Sequence, residues 1–252
     1  MRRVTIDRQN FAGAFTAVAI LVGALGGIAQ SRAGSGWIEI LWARITHRHT
    51  VADRLDQYGD DVAARLASRF AAANVPYPPT ELALVAFKDA HRLELYARAK
   101  PDDTWRSIRG YPVLALSGAL GPKLRAGDRQ VPEGVYAVES LNPNSRFHLA
   151  IRVGYPNAED QDAALADGRT RLGSDIMIHG AAASIGCLAM GDRAAEELFV
   201  LTALAGPKNV RIIISPVDFR VPGTTAPPTD VKWIQERYRK LATELAQFPR
   251  TP

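Results

Sequence analysis

Near Leu82 the spacing of apolar residues changes from a helical period to a strand period, and that change limits what the chain can build. Upstream, in VADRLDQYGDDVAARLASRFAAANVPYPP, Val51, Leu55, Tyr58, Val62, Leu66 and Phe70 recur at helical spacing. Gly59 is a point where that helix can break, and PYPP stops it. Downstream, LALVAF, the turn KDAH and RLELYAR read as a hairpin with Leu93, Leu95 and Ala97 on one face. YPVLALSGAL reads as a further strand, and another begins near Val135. RFHLAIRVG alternates, which sends Phe147, Leu149, Ile151 and Val153 inward and His148 and Arg152 outward. DIMIHG is a short strand ending in histidine and glycine. GDRAAEELFVLTALAG is a helix with Asp192 as its cap and Gly206-Pro207 as its stop. NVRIIISPVDF is a buried strand, PGTTAPP a linker, and DVKWIQERYRKLATELAQF a closing amphipathic helix. Many strands with a few flanking helices predict an α+β, mainly β domain whose core is a β-sandwich or curled mixed sheet.

The 252 residues suffice for one substantial core, and 47% hydrophobic with 23% charged residues argues against wholesale disorder. A net charge of +5 favours polyanionic partners. The basic residues are scattered, however, and no nucleic-acid signature is present. The basic start MRRVTIDRQN precedes an uncharged apolar run from Phe11 to Ala29. That run is apolar on every face, so it reads as an export signal, with an uncleaved membrane anchor as the alternative. Residues 1–34 are therefore assigned to export or anchoring, and the remainder is expected outside the cytoplasm. Residues 35–74 form a helical segment, 75–218 the main domain, and 219–252 a linker and terminal helix.

The chain has one cysteine, so no internal disulfide supports this domain. Cys187 lies in SDIMIHGAAASIGCLAMGD, eight residues after His179. A thiol attacks carbonyls as the thiolate, and an imidazole can take its proton and later return it to a leaving amine. Gly180 permits a sharp exit after the histidine, and AAAS leaves space above the thiol. Gly186 lets the backbone approach, and the N–H of Cys187 could serve an oxyanion. Ser184 or a backbone carbonyl could hold the second imidazole nitrogen. Spacing alone leaves the alternative open, since a cysteine among Ile185, Leu188 and Met190 is commonly a core residue.

IHG followed by SIGC resembles the active-site signature of the L,D-transpeptidase catalytic domain family. VPEGVYAV, NPNSRFHLAIRVGYPN, GRTRLGSDIMIHG and GCLAMGD extend the resemblance over roughly residues 75 to 218, closest to the YafK-like branch. The resemblance implies an L,D-transpeptidase-type curled sheet in a periplasmic enzyme acting on peptidoglycan stem peptides, a wall-attached outer-membrane protein being a further partner. It implies Cys187 as nucleophile, His179 as base, Gly180 as the orienting position and Gly186 with Cys187 at the oxyanion site. Transfer to an amine makes such an enzyme a transpeptidase, and transfer to water a hydrolase. Ile185 and Ala189 stand where most family members carry histidine and arginine, which leaves a non-catalytic wall-binding protein as the reading from another class.

Stem peptides carry carboxylates, so guanidinium and ammonium groups near the cleft are candidate contacts. Arg169 and Arg171 precede the histidine strand, and Lys123, Arg125 and Arg129 lie in the loop before Val135. His148 is a further candidate, although a satisfied strand histidine fits its position better. NPNS, Asn142 to Ser145, reads as a turn. His47 and His49 lack a third ligand nearby, so no metal is expected. No phosphate loop or dinucleotide fingerprint is present, and no cofactor is implied.

Overall fold

The computed structural model describes residues 48–250. The apolar run Phe11 to Ala29 and His47 lie outside that range. Among the described residues, no helix is long and apolar enough to cross a membrane.

Helix α1 (Val51–Ala73) begins in a reciprocal cap: the Asp53 N–H donates to Thr50 Oγ1 and the Thr50 N–H to Asp53 Oδ2. Gly59 does not break it, and the left-handed Asn74 (φ 54°) ends it. The expected hairpin is β1 (Glu81–Phe87) and β2 (Arg92–Arg98), paired from Glu81–Arg98 to Phe87–Arg92. YPVLALSGAL is not one strand. Its first residues close β3 (Arg106–Pro112), and only Ala115–Leu116 form the short β4.

Strand β5 (Gly134–Ser145) runs through NPNS, so those residues end a long irregular strand instead of forming a turn. Strand β6 (His148–Val153) returns antiparallel to it. Phe147 sits at the tight corner before β6 and is 44% exposed, so its expected inward position is wrong. Helix α2 (Ala158–Ala166) follows, started by an Asn157–Asp160 capping box. Then come β7 (Met177–His179), β8 (Leu188–Ala189), α3 (Asp192–Ala205), β9 (Val210–Ser215) and α4 (Ile234–Leu245).

Among the described residues the strands form one curled mixed sheet in the order β3-β2-β1-β9-β5-β6-β7-β8-β4. Two pairings are parallel, β1 with β9 and β7 with β8. Central strands are covered on both faces, which is why LALVAF and VRIIIS are apolar without alternation. On one side Leu82, Leu84 and Ala86 join Leu66, Phe70 and Leu198 from α1 and α3. On the other, Ala83, Val85 and Phe87 meet Ile234, Tyr238 and Leu241 from α4. The structure is thus α+β, mainly β, with helices on both faces of a curled sheet.

Two buried ionic clusters tie distant segments together. Lys88, just after β1, donates to Gly121 O, Val131 O and Glu133 Oε1 at 2.8–3.0 Å, and the Tyr238 hydroxyl donates to the other Glu133 oxygen at 2.7 Å. Glu197 of α3 accepts from Arg109 at 2.8 Å and Tyr111 at 2.9 Å, while its neighbour Glu196 accepts from Arg65 of α1 at 3.0 Å.

Candidate active site

The short parallel pair β7–β8 runs the histidine strand alongside the strand that follows the cysteine. Ile178 is registered with Leu188 and His179 with Ala189. Registered residues of neighbouring strands share a face, as do alternate residues along one strand. Cys187 immediately precedes β8, and continuing the register back by one residue sets it opposite Met177, on the face that His179 occupies. The small-residue loop thus joins two positions that the strand register sets on one face, offset by two residues.

His179 is buried, and its Nδ1 lies 2.6 Å from the carbonyl oxygen of Gly180. A carbonyl only accepts, so Nδ1 carries the proton and Nε2 holds the lone pair. The exposed ring of Phe147 stacks on the imidazole with centroids 4.8 Å apart and planes at 29°. Burial lowers the His179 pKa below its usual value, with the Gly180 hydrogen bond opposing the shift. The imidazole is thus a neutral base at pH 7.

Burial likewise pushes the Cys187 thiol up. A Met177 backbone hydrogen bond and the Lys123 charge oppose that shift, while the Asp175 carboxylate reinforces it. The thiol donates to the Asp175 backbone oxygen at 3.6 Å. Both shifts favour the uncharged forms, a thiol and a neutral imidazole. A thiol in that state attacks only where a base takes its proton, which is general-base chemistry.

The loop before the thiol is fastened by two serines. Ser184 Oγ accepts the Cys187 N–H at 2.9 Å and donates to the Cys187 carbonyl at 2.6 Å. Ser184 thus holds the cysteine backbone, and the partner of His179 Nδ1–H is the carbonyl of Gly180. The Gly186 N–H donates to Ser117 Oγ at 2.5 Å. Gly186 has φ +99°, a conformation that favours glycine. Both N–H groups expected at the oxyanion position are therefore engaged by hydroxyls at rest.

Gly180 is walled in. A Cβ there would stand 2.6 Å from Asp192 Oδ1 and 2.7 Å from the Phe147 carbonyl oxygen. Asp192 is not a helix cap, because Gly191 occupies that position without a side-chain bond. Asp192 Oδ1 instead accepts the N–H of Ala181 at 2.8 Å.

A cleft of about 460 Å³ reaches the cysteine loop, bordered by Lys123, Arg129, Asp175, Ile185 and Gly186. Ile185 is 78% exposed at its rim. Lys123 is occupied within its own loop, donating to Asp128 at 2.5 Å and to the Arg125 carbonyl at 3.0 Å. Burial alone would raise the Asp128 carboxyl, but hydrogen bonds from Lys123 and from the N–H groups of Arg125, Gln130 and Leu124 outweigh it and hold it low. Arg169 is also committed, to Asp167 at 3.1 Å and Leu124 O at 3.0 Å, with its guanidinium over Trp233.

Arg171 and Arg125 are exposed beside a neighbouring groove of about 670 Å³. His148 lies against Glu196 (3.1 Å) and the Tyr58 ring. Ala189 is fully buried in β8, leaving no exposed position for a guanidinium there. Among the described residues no cluster of three or more metal-ligating side chains occurs. Phe147, Ser117 and Asp192 join the site only through the folded backbone, and the sequence carries no motif that singles them out.

Residues 82–221 match the family model of the L,D-transpeptidase catalytic domain (YkuD). YafK, named as a candidate L,D-transpeptidase of Escherichia coli K12, is 40% identical over 135 residues. That alignment covers 52% of this chain, and the chain spans about half the length of the curated relatives it matches. Among solved structures, the helical cell shape determining protein Pgp2 from Campylobacter jejuni aligns at 20% identity and TM-score 0.45, covering 59% of this chain and 50% of that one. L,D-transpeptidase 1 of Mycobacterium tuberculosis aligns at 18% identity and TM-score 0.31, covering 54% and 62%.

Proposed function

The chain belongs to the L,D-transpeptidase catalytic domain family, and from that premise we propose that it is a cysteine acyltransferase acting on peptidoglycan stem peptides in the periplasm. What supports this reading is the β7–β8 register, which sets His179 and Cys187 on one face, together with the Gly180 carbonyl that holds the imidazole as its Nδ1–H tautomer and a cleft at the cysteine loop.

As the Cys187 sulfur bonds to the carbonyl carbon of an L-centre, its proton passes to Nε2 of His179. The substrate oxygen takes up the negative charge and displaces Ser184 and Ser117 from the N–H groups of Cys187 and Gly186. Collapse breaks the bond to the departing amine, which receives the proton from His179 and leaves a thioester on Cys187. A second amine, or water, attacks that thioester and gives up a proton to His179. The restored thiolate then recovers it. Amine as acceptor yields an exchanged or cross-linked stem, and water yields a released one.

Arg129, at the rim of the cysteine cleft, and Arg171, beside the adjoining groove, are the proposed partners of stem-peptide carboxylates. Lys123 and Arg169 act indirectly, by shaping the loop that carries Arg129. Residues 1–34 are proposed to direct export, and a wall-attached outer-membrane protein is proposed as a further substrate.

The test mixes the purified protein with intact sacculi bearing attached lipoprotein and reads soluble and wall-bound products by mass spectrometry. New cross-links or amine-exchanged stems, absent with Cys187→Ser, establish transfer. Shortened stems or freed lipoprotein, absent with Cys187→Ser, establish hydrolysis. Pelleting of both proteins with sacculi and no product from either overturns the enzymatic reading in favour of a wall-binding protein.

A further inference from the structure

We propose that Asp192 is a positioning residue for His179, acting through the peptide group that joins Gly180 to Ala181. The proposal rests on His179 serving as the base.

That peptide is held at both ends. Its carbonyl, on Gly180, accepts from His179 Nδ1 at 2.6 Å, and its N–H, on Ala181, donates to Asp192 Oδ1 at 2.8 Å. A peptide group is planar, and in the trans form its C=O and N–H point in opposite directions. Turning the N–H toward Asp192 therefore turns the carbonyl toward the imidazole. The two hydrogen bonds are the two ends of one rigid lever.

Independent features show that the lever is built. Ala181 has φ +57°, the left-handed region that residues with a Cβ seldom adopt. Its carbonyl accepts from the Gly191 N–H at 2.9 Å, so the residue is clamped on both sides by the start of α3. The close approach of Asp192 requires glycine at 180, since a Cβ there would lie 2.6 Å from Oδ1. Asp192 is also absent from the role its position suggests, because no side chain caps the start of α3. The Met190 N–H to His179 carbonyl bond (2.8 Å) and the Gly180 N–H to Leu149 carbonyl bond (3.1 Å) fix the preceding peptide, between His179 and Gly180, as the Gly191 bond to the Ala181 carbonyl fixes the following one. The central one takes its orientation from Asp192.

The experiment reads the imidazole directly. The full chain is labelled with ¹⁵N-histidine, and the His179 resonances are assigned by their loss in His179→Gln. The Nδ1–H tautomer is expected in the wild type. In Asp192→Ala the expected result is a mixture of tautomers, with turnover on sacculi falling on the order of tenfold to a hundredfold and KM nearly unchanged. Asp192→Asn keeps an oxygen acceptor and is expected to restore both the tautomer and most of kcat. Asp192→Ser retains a capping hydroxyl on a shorter side chain and is expected to behave like the alanine variant.

A folded Asp192→Ala protein with a pure Nδ1–H tautomer overturns the proposal, as does full rescue by serine. If alanine prevents folding, the serine and asparagine variants carry the comparison. Wild-type protein that shows the tautomer but no turnover refutes the proposed reaction while leaving the positioning role intact.

Discussion

At the scale of single residues, Cys187 and His179 are each pushed by burial toward the uncharged form, the thiol upward and the imidazole downward. Two expectations follow in opposite directions along the pH axis. Without substrate, iodoacetamide alkylation of Cys187 should rise with pH to a midpoint above the ordinary thiol value of about 8.5, measured by mass spectrometry of quenched samples. A midpoint near 6 would instead mean a preformed thiolate. With substrate, a lowered His179 pKa keeps the base neutral as pH falls, so the acid limb of kcat/KM should lie below about 6.5. A limb above 7 contradicts that sign. The pair was legible in the sequence because a histidine and a cysteine can be recognised by type. Asp192 was misread as a cap, because only the folded corner shows its carboxylate turned back to Ala181. Phe147 was placed inward by alternation, whereas the turn before β6 frees it to stack on His179.

At the scale of elements, legibility followed length and the nearness of partners. Helix α1 was visible because its buried residues Val62, Leu66 and Phe70 repeat at the helical period over many turns. Helix α2 was missed because it is short and buries only Asp160 and Ala164, although its Asn157–Asp160 capping box stood in the sequence. Strands β4 and β8 have two residues each, too few for a period, and exist because β8 pairs with β7 and β4 with β8 at the sheet edge. That edge carries the site, so changes to its backbone should cost both stability and function. Gly180→Ala forces a Cβ against Asp192 Oδ1 and the Phe147 carbonyl. Urea unfolding should show a loss of about 1–3 kcal/mol. A neutral result would mean that the corner yields easily and that Gly180 is not tightly held.

At the scale of the whole molecule, the loop bordering the cleft is anchored from far away by Lys88. Its ammonium is almost fully buried against Glu133, and burial lowers its pKa despite that partner. Lys88→Met leaves the Glu133 carboxylate with the Gly121 N–H and the Tyr238 hydroxyl but without its cation. The expected loss is about 3–5 kcal/mol by denaturant titration. Amides of residues 121–131 should also exchange faster with deuterium, whereas an unchanged exchange pattern would separate that loop from the Lys88 anchor.

The parallel pairing of β1 with β9 joins Leu82 to Val210, and β9 is also what links β1 to β5. During synthesis the first hairpin emerges early, yet the strand that seats it in the sheet is nearly the last to appear. Until then its two apolar faces have no sheet partner, and closing so long a span is slow. A chain stopped after residue 205 contains every residue of the candidate site but nothing to bridge the two halves of the sheet. The chemistry proposed for Cys187 therefore waits on a strand that has not yet been made when the cysteine itself has.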